Sequence, residues 1–202
     1  MLSFNLKFHL LSEWHIGSGR EQGSYADSTT LKDSDGLPFI PGKSIKGLLR
    51  NAFEEALKNR WLPGATDVDI QRLFGCEGTQ GMHTAGIIQL SSAELSERER
   101  KFLIEHCAKR LLYRTCSNTA IDQSTGVAKT MSLRVVETVV PMQLQARLVL
   151  NTSHRQWQPG YAEQFACWLQ RAVMLVTELG AKRNRGLGAV QITVSPLTAT
   201  TV

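Results

Sequence analysis

Hydrophobic and polar residues alternate near both ends of the chain, which is the pattern of half-buried β-strands. Residues 2–11 carry hydrophobic side chains at every second position, namely Leu2, Phe4, Leu6, Phe8 and Leu10. Residues 132–150 return to this alternation and predict one long strand, and the AVQITV run at 189–194 predicts a final strand. A short hydrophobic run at residues 87–90 predicts one more strand, buried on both faces.

Two longer segments, residues 43–60 and 161–179, show the three- and four-residue hydrophobic spacing of amphipathic helices. A Pro-Gly pair ends the first of them. Residues 67–74 predict a shorter helix. Ser96 and Glu99 have the spacing of a capping box, so another helix is expected to begin there.

The predicted elements follow the order strand–helix–strand, an insertion, and strand–helix–strand again. This is the split βαβ pattern of a ferredoxin-like domain. The predicted fold class is therefore α+β, with the 202 residues forming a single domain. Residues 12–42 show no sustained periodicity and predict a long functional loop, while residues 113–131 are polar and show no core pattern.

The composition is that of an ordinary globular protein with an excess of basic residues. The net charge of +5 and the pI of about 9.2 fit a polyanionic partner without requiring one. The four cysteines lack C-x-x-C spacing, which predicts free thiols in a reducing compartment rather than a zinc site. The N-terminus lacks a signal-peptide pattern and no stretch is long enough to span a bilayer, so we expect a cytoplasmic protein without a membrane partner.

Two glycine-rich loops carry most of the candidate chemistry. In the first glycine loop (residues 15–23), Gly17, Ser18 and Gly19 form a turn whose backbone can approach a ligand closely, since glycine lacks Cβ. The helix predicted after residue 42 opens with side chains that suit phosphate binding at a helix N-terminus, namely Lys43, Ser44, Lys46 and Arg50. The second glycine loop (residues 180–188) reads GAKRNRGLG and places three cations between glycines, namely Lys182, Arg183 and Arg185. Both loops predict contacts with the phosphates of a nucleic acid.

Two familiar nucleotide-binding motifs are excluded by spacing. The GKS at 42–44 would need a glycine at position 37 to form a P-loop, and that residue is Leu37. Pro38 and Pro41 also remove backbone N–H donors that such a loop uses. The G-x-G of the first glycine loop lacks the third glycine of a dinucleotide fingerprint, because position 22 is Gln22.

Asp27 is the candidate catalytic residue of the long loop, and His15 is a candidate RNA-binding residue. Asp35 precedes a glycine and Asp33 is expected to accept hydrogen bonds within the same turn, whereas Asp27 has no turn-forming neighbour. A carboxylate in this position can hold a divalent ion or help to activate a nucleophile. His15 can contact a phosphate or a ribose 2′-hydroxyl, although a structural histidine is the commoner case.

These motifs together resemble the RAMP superfamily over nearly the whole chain, and in particular the repeated backbone subunit of type III CRISPR effector complexes. The resemblance is carried by HIGSG at 15–19, Asp27, KDSDGLPFIPGKSIKGLLR at 32–50, NTAIDQSTGVAKTMSL at 118–133 with Glu137 after it, and GAKRNRGLG at 180–188. The residues before Asp27, EQGSYA, depart from the glycine pair and hydrophobic residue that active relatives often carry.

The resemblance implies a modified RRM-like, ferredoxin-like palm with insertions and a thumb β-hairpin. It implies an active loop at 12–42, an inserted region at 61–112 and a thumb at 113–135, with the I-D-x-x-T-G-x-A residues Ile121, Asp122, Thr125, Gly126 and Ala128 at its centre. The expected partners are a guide CRISPR RNA, a complementary single-stranded target RNA, further copies of the chain stacked head to tail, and other effector subunits.

For the chemistry, the resemblance implies that Asp27, six residues before Asp33, cleaves target RNA with Mg²⁺ or Mn²⁺ as the cofactor. The helix from Lys43 and the loop at 182–185 would hold guide phosphates, and His15 would take part in guide binding.

Two other functions remain open from the sequence. One is a structural guide-binding subunit in which Asp27 is inert. The other is a metal-independent endonuclease that processes guide RNA, with His15 as general base. The I-D-x-x-T-G-x-A run at 121–128 favours the backbone subunit over the processing enzyme.

Overall fold

A computed structural model of the chain describes residues 2–19, 26–77, 83–158, 160–181 and 183–197. Within these ranges the strands are β1 (Leu2–Leu10), β2 (Gly75–Glu77), β3 (His83–Ala85), β4 (Ile88–Leu90), β5 (Tyr113–Asn118), β6 (Arg134–Val139), β7 (Gln143–Leu150) and β8 (Val190–Leu197). The α-helices are α1 (Gly42–Lys58), α2 (Asp67–Phe74), α3 (Glu97–Glu105) and α4 (Tyr161–Val173).

The main sheet has four antiparallel strands in the order β4-β7-β1-β8. Strand β1 lies at its centre, with Leu2 opposite Leu150 of β7 and Leu10 opposite Val190 of β8. Helix α1 follows β1 along the chain, and α4 connects β7 to β8. This arrangement confirms the predicted α+β, ferredoxin-like fold class.

The core lies between the sheet and helices α1 and α4. The alternating hydrophobic side chains of β1 that pack there are buried, as the period of two predicts. Phe53 of α1 stacks on Phe165 of α4 with ring centroids 6.0 Å apart, and Phe4 of β1 lies 5.7 Å from the same ring. The core therefore fixes α1 relative to the end of β1, where the long loop begins.

The long strand predicted over 132–150 is wrong, because the structure has two strands with a break at residues 140–142. Pro141 lies in the break and has no N–H to donate to a sheet ladder. Strand β6 leaves the main sheet and pairs instead with β5, with Tyr113 opposite Val139. The start of the polar segment 113–131, which has no core pattern, is therefore a strand because β6 supplies its partner.

Helix α4 ends at Val173, six residues before the predicted end at residue 179. The hydrophobic pattern continues because Val176 and Leu179, beyond the helix, are still buried in the core. Leu179 N–H donates to the Gly188 carbonyl oxygen (2.9 Å), and Val190 N–H donates to the Thr177 carbonyl oxygen (2.8 Å). Tertiary pairing thus replaces the last turns of the helix.

Residues 119–133, which we call the hairpin, connect β5 to β6 and project from the fold. Ile121 and Ala128 pair across the hairpin, and the Asp122 carboxylate accepts hydrogen bonds from the Ser124 N–H (2.9 Å) and hydroxyl (2.6 Å). These bonds, the hydroxyl first, lower the pKa of Asp122. No helix in the described ranges is both long and hydrophobic enough to cross a membrane.

Candidate nucleic-acid interface

The two glycine loops meet at the end of β1, although 165 positions separate His15 from Gly180 (180 − 15). Ala181 N–H donates to the His15 carbonyl oxygen (2.8 Å), and Gly188 N–H donates to the Glu13 carbonyl oxygen (2.7 Å). Gly180 has φ of 84°, and a Cβ there would overlap the His15 carbonyl oxygen. The glycines of the second loop therefore permit close backbone packing against the first loop.

A groove of about 380 Å³ runs between these loops and the first turns of α1. Its walls bring predicted residues from three separate segments together, and they include Ile16, Gly17, Ser44, Leu48, Gly180 and Ala181. Ser18 is held by Thr29, whose carbonyl oxygen accepts its N–H (2.9 Å), and Gly19 has φ of 73° with open space around it.

Three predicted cations of α1 form one stripe on the side of the helix that faces β2 and β4, opposite the side on which Ser44 and Leu48 line the groove. Lys43 is exposed, whereas the Lys46 ammonium donates to the Ile88 carbonyl oxygen (3.4 Å). Arg50 forms an ion pair with Glu54 (2.9 Å) and donates to the Gly75 carbonyl oxygen (3.3 Å). Burial, with a smaller effect from the Arg50 charge, lowers the pKa of Lys46. The stripe is therefore a basic surface that the body of α1 separates from the groove.

The two described cations of the second glycine loop line two different cavities. Lys182 lies outside the described residues. Arg183 lines a cavity of about 440 Å³, and Glu55 and Glu178 also form part of its wall. Arg185 instead lines a cavity at the base of the hairpin. The basic loop therefore joins the α1 side of the fold to the hairpin side.

Asp27 is fixed to strand β6 at the base of the hairpin. Its N–H donates to the Val135 carbonyl oxygen (2.9 Å), and its carboxylate Oδ2 accepts the Val135 N–H (2.6 Å). Ser28 then continues alongside Val136 in parallel pairing, and its carbonyl oxygen accepts the Glu137 N–H (3.0 Å). The Asp27 side chain stays exposed, so the loop presents a carboxylate to solvent from a fixed backbone.

The side chains around Asp27 limit the kind of metal site that this carboxylate could form. Within the described residues, no three His, Cys, Asp or Glu side chains are grouped to hold an ion. Mg²⁺ is commonly held by one or two carboxylates, with substrate phosphates and water completing its shell. Asp27 therefore fits an ion whose remaining ligands come from RNA and water.

His15 is buried at 3% exposure and both of its ring nitrogens contact protein atoms. Nδ1 lies 2.7 Å from the Glu137 carbonyl oxygen and 3.2 Å from the Thr30 hydroxyl, and Nε2 lies 3.1 Å from the Ser28 hydroxyl. This placement does not support the predicted contact of the imidazole with RNA, nor its use as a general base. The ring instead holds the segment that carries Asp27 against β6.

Glu137 is a central residue of the site to which the sequence assigned no role. Its carboxylate is 1% exposed, and it accepts hydrogen bonds from the Lys32 ammonium (2.8 Å) and the Thr30 N–H (3.0 Å). One signal was present in the sequence, because this acid interrupts an otherwise uncharged run, VVETV at 135–139. A charge at an inward position of a strand needs a partner, and the loop supplies it.

We expect Glu137→Ala to lower the free energy of unfolding by about 2–3 kcal/mol, because it leaves the buried Thr30 N–H without its acceptor and removes the Lys32 ion pair. For a chain of this size the melting temperature should fall by roughly 4–12 °C. The matched control is Glu54→Ala, which breaks an exposed pair and should cost under about 0.5 kcal/mol. Thermal unfolding of both variants checks this, and equal shifts would contradict it.

The Asp-Gly turn is clamped from the inserted region. Asp33 Oδ1 accepts the N–H groups of Asp35 and Leu37 (both 2.9 Å), which confirms the expected turn. The Arg100 guanidinium of α3 forms ion pairs with both aspartates, at 2.8 Å for Asp33. Tyr113 of β5 donates its hydroxyl to the Gly36 carbonyl oxygen (2.7 Å). The long loop is therefore held at several points along its length.

The hairpin exposes hydrophobic side chains that have no covering partner within the described residues. Those most exposed are Ile121 (67%), Val127 (62%), Met131 (97%) and Leu133 (60%). Such a concentration on a projecting hairpin is typical of a surface that receives a partner. Thr125, Gly126 and Ala128 lie between these residues, near the hairpin tip.

A model of the RAMP superfamily matches residues 7–191. No curated protein sequence matches the chain.

Several solved structures share the fold. A chain of "Type III-B Cmr-beta Cryo-EM structure of the Apo state" has a TM-score of 0.67 and 12% identity, covering 95% of this chain and 96% of that one. A chain of "Cryo-EM structure of the Type III-B Cmr-beta bound to cognate target RNA" has a TM-score of 0.68 and 11% identity, covering 96% and 97%. A chain of "Type IV-B CRISPR Complex" has a TM-score of 0.61 and 18% identity, covering 99% and 92%. With the family model spanning nearly the whole ferredoxin-like domain, the chain belongs to the RAMP superfamily.

Proposed function

We propose that this protein is a guide-RNA-binding backbone subunit of a type III CRISPR effector, and that it cleaves complementary target RNA at regular intervals. The observation that carries the proposal is the position of Asp27. Its exposed carboxylate is hydrogen-bonded to Val135, directly at the base of a hairpin that projects from the fold. A duplex distorted by the hairpin would meet this carboxylate at the point of distortion.

The proposed cleavage uses the RNA's own 2′-hydroxyl as nucleophile, so that the protein need not supply one. The 2′-oxygen would lose its proton to water and bond to the adjacent phosphorus, and the bond from phosphorus to the 5′-oxygen of the next nucleotide would break. The products would be a 2′,3′-cyclic phosphate and a 5′-hydroxyl, which takes its proton from water. The protein must hold the nucleotide in line and place charge near the 2′-oxygen and the scissile phosphate. Asp27 would hold Mg²⁺ or Mn²⁺, and the bound ion would supply charge stabilisation at the phosphate. His15, Ser28 and Glu137 would keep the Asp27 segment fixed against β6.

Guide RNA would run along the groove between the two glycine loops. The backbone of Gly17–Gly19, Ser44 and the second loop would then border the phosphates, and the α1 stripe would hold guide phosphates on the other side of the helix. The residues assigned to this contact are Gly17, Ser18, Gly19, Lys43, Ser44, Lys46, Arg50, Lys182, Arg183 and Arg185. Contacts of this kind bind any sequence, and base pairing to the guide would select the target. Further copies of the chain and other effector subunits would share the same guide.

A second candidate is a scaffold subunit of the same kind of complex in which Asp27 is inert. One observation favours it: in the described ranges, Asp27 does not belong to a group of three or more His, Cys, Asp or Glu side chains that could hold a metal ion. The fold and guide groove would serve either function, so the two candidates differ only in chemistry.

Reconstitution of the complex on a guide RNA, followed by incubation with labelled complementary RNA, separates the candidates. We expect regularly spaced products in Mg²⁺ or Mn²⁺ and none after addition of EDTA. A non-complementary RNA is the control and should stay intact. Tight binding of the complementary RNA without cuts in either metal would leave the scaffold function in place.

A further inference from the structure

We infer that Val135 is a positioning residue for the reaction, because its backbone N–H orients the Asp27 carboxylate. The hydrogen bond from this N–H to Oδ2 (2.6 Å) would leave Oδ1 as the oxygen that contacts the metal ion. The inference rests on the proposed function, in which Asp27 holds that ion. It gives a role to a residue that no side-chain motif could identify, since the group that acts belongs to the backbone.

Strand β6 carries a row of N–H donors that face the long loop, and Val135 is the first of them. The Val139 N–H donates to the Trp14 carbonyl oxygen (2.8 Å). The Glu137 N–H donates to the Ser28 carbonyl oxygen (3.0 Å). At Val135 the acceptor is a carboxylate instead of a backbone carbonyl. The Asp27 side chain therefore completes this row in place of a backbone group.

The register of β5 and β6 shows that this N–H takes no part in the ladder between the two strands. Val135 lies opposite Ser117 of β5. Because both the N–H and the carbonyl oxygen of Val135 bond to Asp27, this is one of the antiparallel pairs without hydrogen bonds. Removal of the Val135 N–H thus breaks the bond to Asp27 and no bond to β5. The Ser117 N–H is directed away from β6 for the same reason.

The bond determines which oxygen of Asp27 is available to a ligand. Oδ2 accepts the Val135 N–H, and a hydrogen bond to an ionised carboxylate belongs to the stronger class. Within the described residues, Oδ1 has no hydrogen-bond donor and no cation paired with it. Mg²⁺ demands near-ideal octahedral geometry and keeps several of its waters. A single carboxylate oxygen held in a fixed direction suits such an ion.

The same bond links the carboxylate to the hairpin. The hairpin ends at residue 133, and Arg134 alone separates it from Val135. A shift of the hairpin base would therefore carry the Val135 N–H with it and turn the Asp27 carboxylate. Misplacement of a reacting group by about 1 Å can cost roughly a hundredfold in rate. The geometry thus couples the position of the hairpin to the direction of the carboxylate.

The test removes the Val135 N–H and leaves the Asp27 charge in place. Val135→Pro removes this donor, Val135→Ile keeps it, and Ser117→Pro removes the opposite N–H, which does not contact Asp27. In guide complexes with labelled complementary RNA, Val135→Pro should lower the cleavage rate at saturating RNA roughly ten- to a hundredfold. The RNA concentration at half-maximal rate should stay within about twofold. Val135→Ile and Ser117→Pro should cleave within about threefold of wild type.

Binding of Mn²⁺ provides a readout that does not depend on cleavage. Electron paramagnetic resonance measures the Mn²⁺ held by each complex when the complementary RNA has 2′-deoxyribose at the cleavage positions, so that no cut can occur. Wild type should hold an additional ion per subunit relative to Asp27→Asn. Val135→Pro should bind this ion about fivefold more weakly, the effect of one lost hydrogen bond, whereas Ser117→Pro should bind it as wild type does. A bond that only stabilises the fold would change thermal unfolding and leave this affinity unchanged.

An unchanged cleavage rate and Mn²⁺ affinity in Val135→Pro would overturn the inference, and so would an equal loss in Ser117→Pro. If thermal unfolding shows that Val135→Pro does not fold, the α-hydroxy acid analogue of valine at position 135 removes the same N–H without a ring and should give the same losses. A wild-type complex that binds complementary RNA without cutting it, and that holds no more Mn²⁺ than Asp27→Asn, would instead reject the proposed cleavage and the positioning role with it.

Discussion

Asp27→Asn is expected to lower the rate of target cleavage at least about a hundredfold while leaving guide and target affinity within about twofold. The asparagine keeps a carbonyl oxygen where Oδ2 now accepts the Val135 N–H. It removes the negative charge that would hold the metal ion. The substitution therefore isolates the chemistry from the position of the loop.

Asp27→Ala should abolish cleavage to the same degree, but it also removes the acceptor for Val135. Because that hydrogen bond is exposed, its loss should lower the free energy of unfolding by no more than about 1 kcal/mol. If Asp27→Ala and Asp27→Asn lose cleavage equally but only Asp27→Ala loses stability, the catalytic role of the carboxylate is separate from its hydrogen bond to Val135. Cleavage is measured on a complementary labelled RNA, and stability by thermal unfolding.

The matched control for charge is Asp67→Asn, because Asp67 is exposed at the start of α2, away from the hairpin base. It should leave cleavage unchanged. Cleavage that persists in both Asp27 variants would reject the catalytic role of Asp27. Target binding without cleavage in wild type as well would leave the scaffold as the function.

The main strands and helices of the fold could be predicted from the sequence because each has its own local hydrophobic period. Strand β1 and helix α1 were expected within a few residues of their observed ends, since each packs one face on the core along its whole length. The break at Pro141 was missed because alternation continues on both sides of it. The hydrophobic pattern did not indicate strand β5, because its partner β6 could not be known from composition; only the family resemblance implied a β-hairpin there.

In the candidate site, too, the features that depend on neighbouring residues were predicted and those that depend on distant residues were not. Motifs identified Asp27 and both glycine loops, and the turn at Asp33 formed as its sequence predicted. Burial of His15 depends on residues of β6 that lie 122 positions away, so no local pattern contained it. The role of Glu137 likewise arises from a loop more than 100 positions earlier. Contacts of that range are fixed by topology rather than by neighbouring residues.

The second prediction with a large effect concerns two glycines of the second glycine loop that share one backbone conformation. Gly186 and Gly188 both have φ of 79°. A Cβ on Gly186 would meet no atom of the described residues within 4 Å, whereas a Cβ on Gly188 would overlap the Leu179 carbonyl oxygen. The pair therefore separates the cost of left-handed backbone from the cost of a steric clash.

Gly186→Ala should cost about 1–2 kcal/mol, the penalty of an L-residue in the left-handed region. This corresponds to a fall in melting temperature of roughly 2–8 °C for a chain of this size. Gly188→Ala should cost more than about 4 kcal/mol, because the backbone must move where it pairs with Leu179 and Glu13. That movement would separate the two glycine loops and displace the start of β8.

Thermal unfolding followed by far-ultraviolet circular dichroism measures both variants under the same conditions. We expect a folded Gly186→Ala protein and either a much lower transition or no soluble protein for Gly188→Ala. Guide affinity should follow the same order, since the groove needs the second loop against the first. Equal transitions for the two variants would contradict the close approach of Gly188 to Leu179, a residue that lines the guide groove.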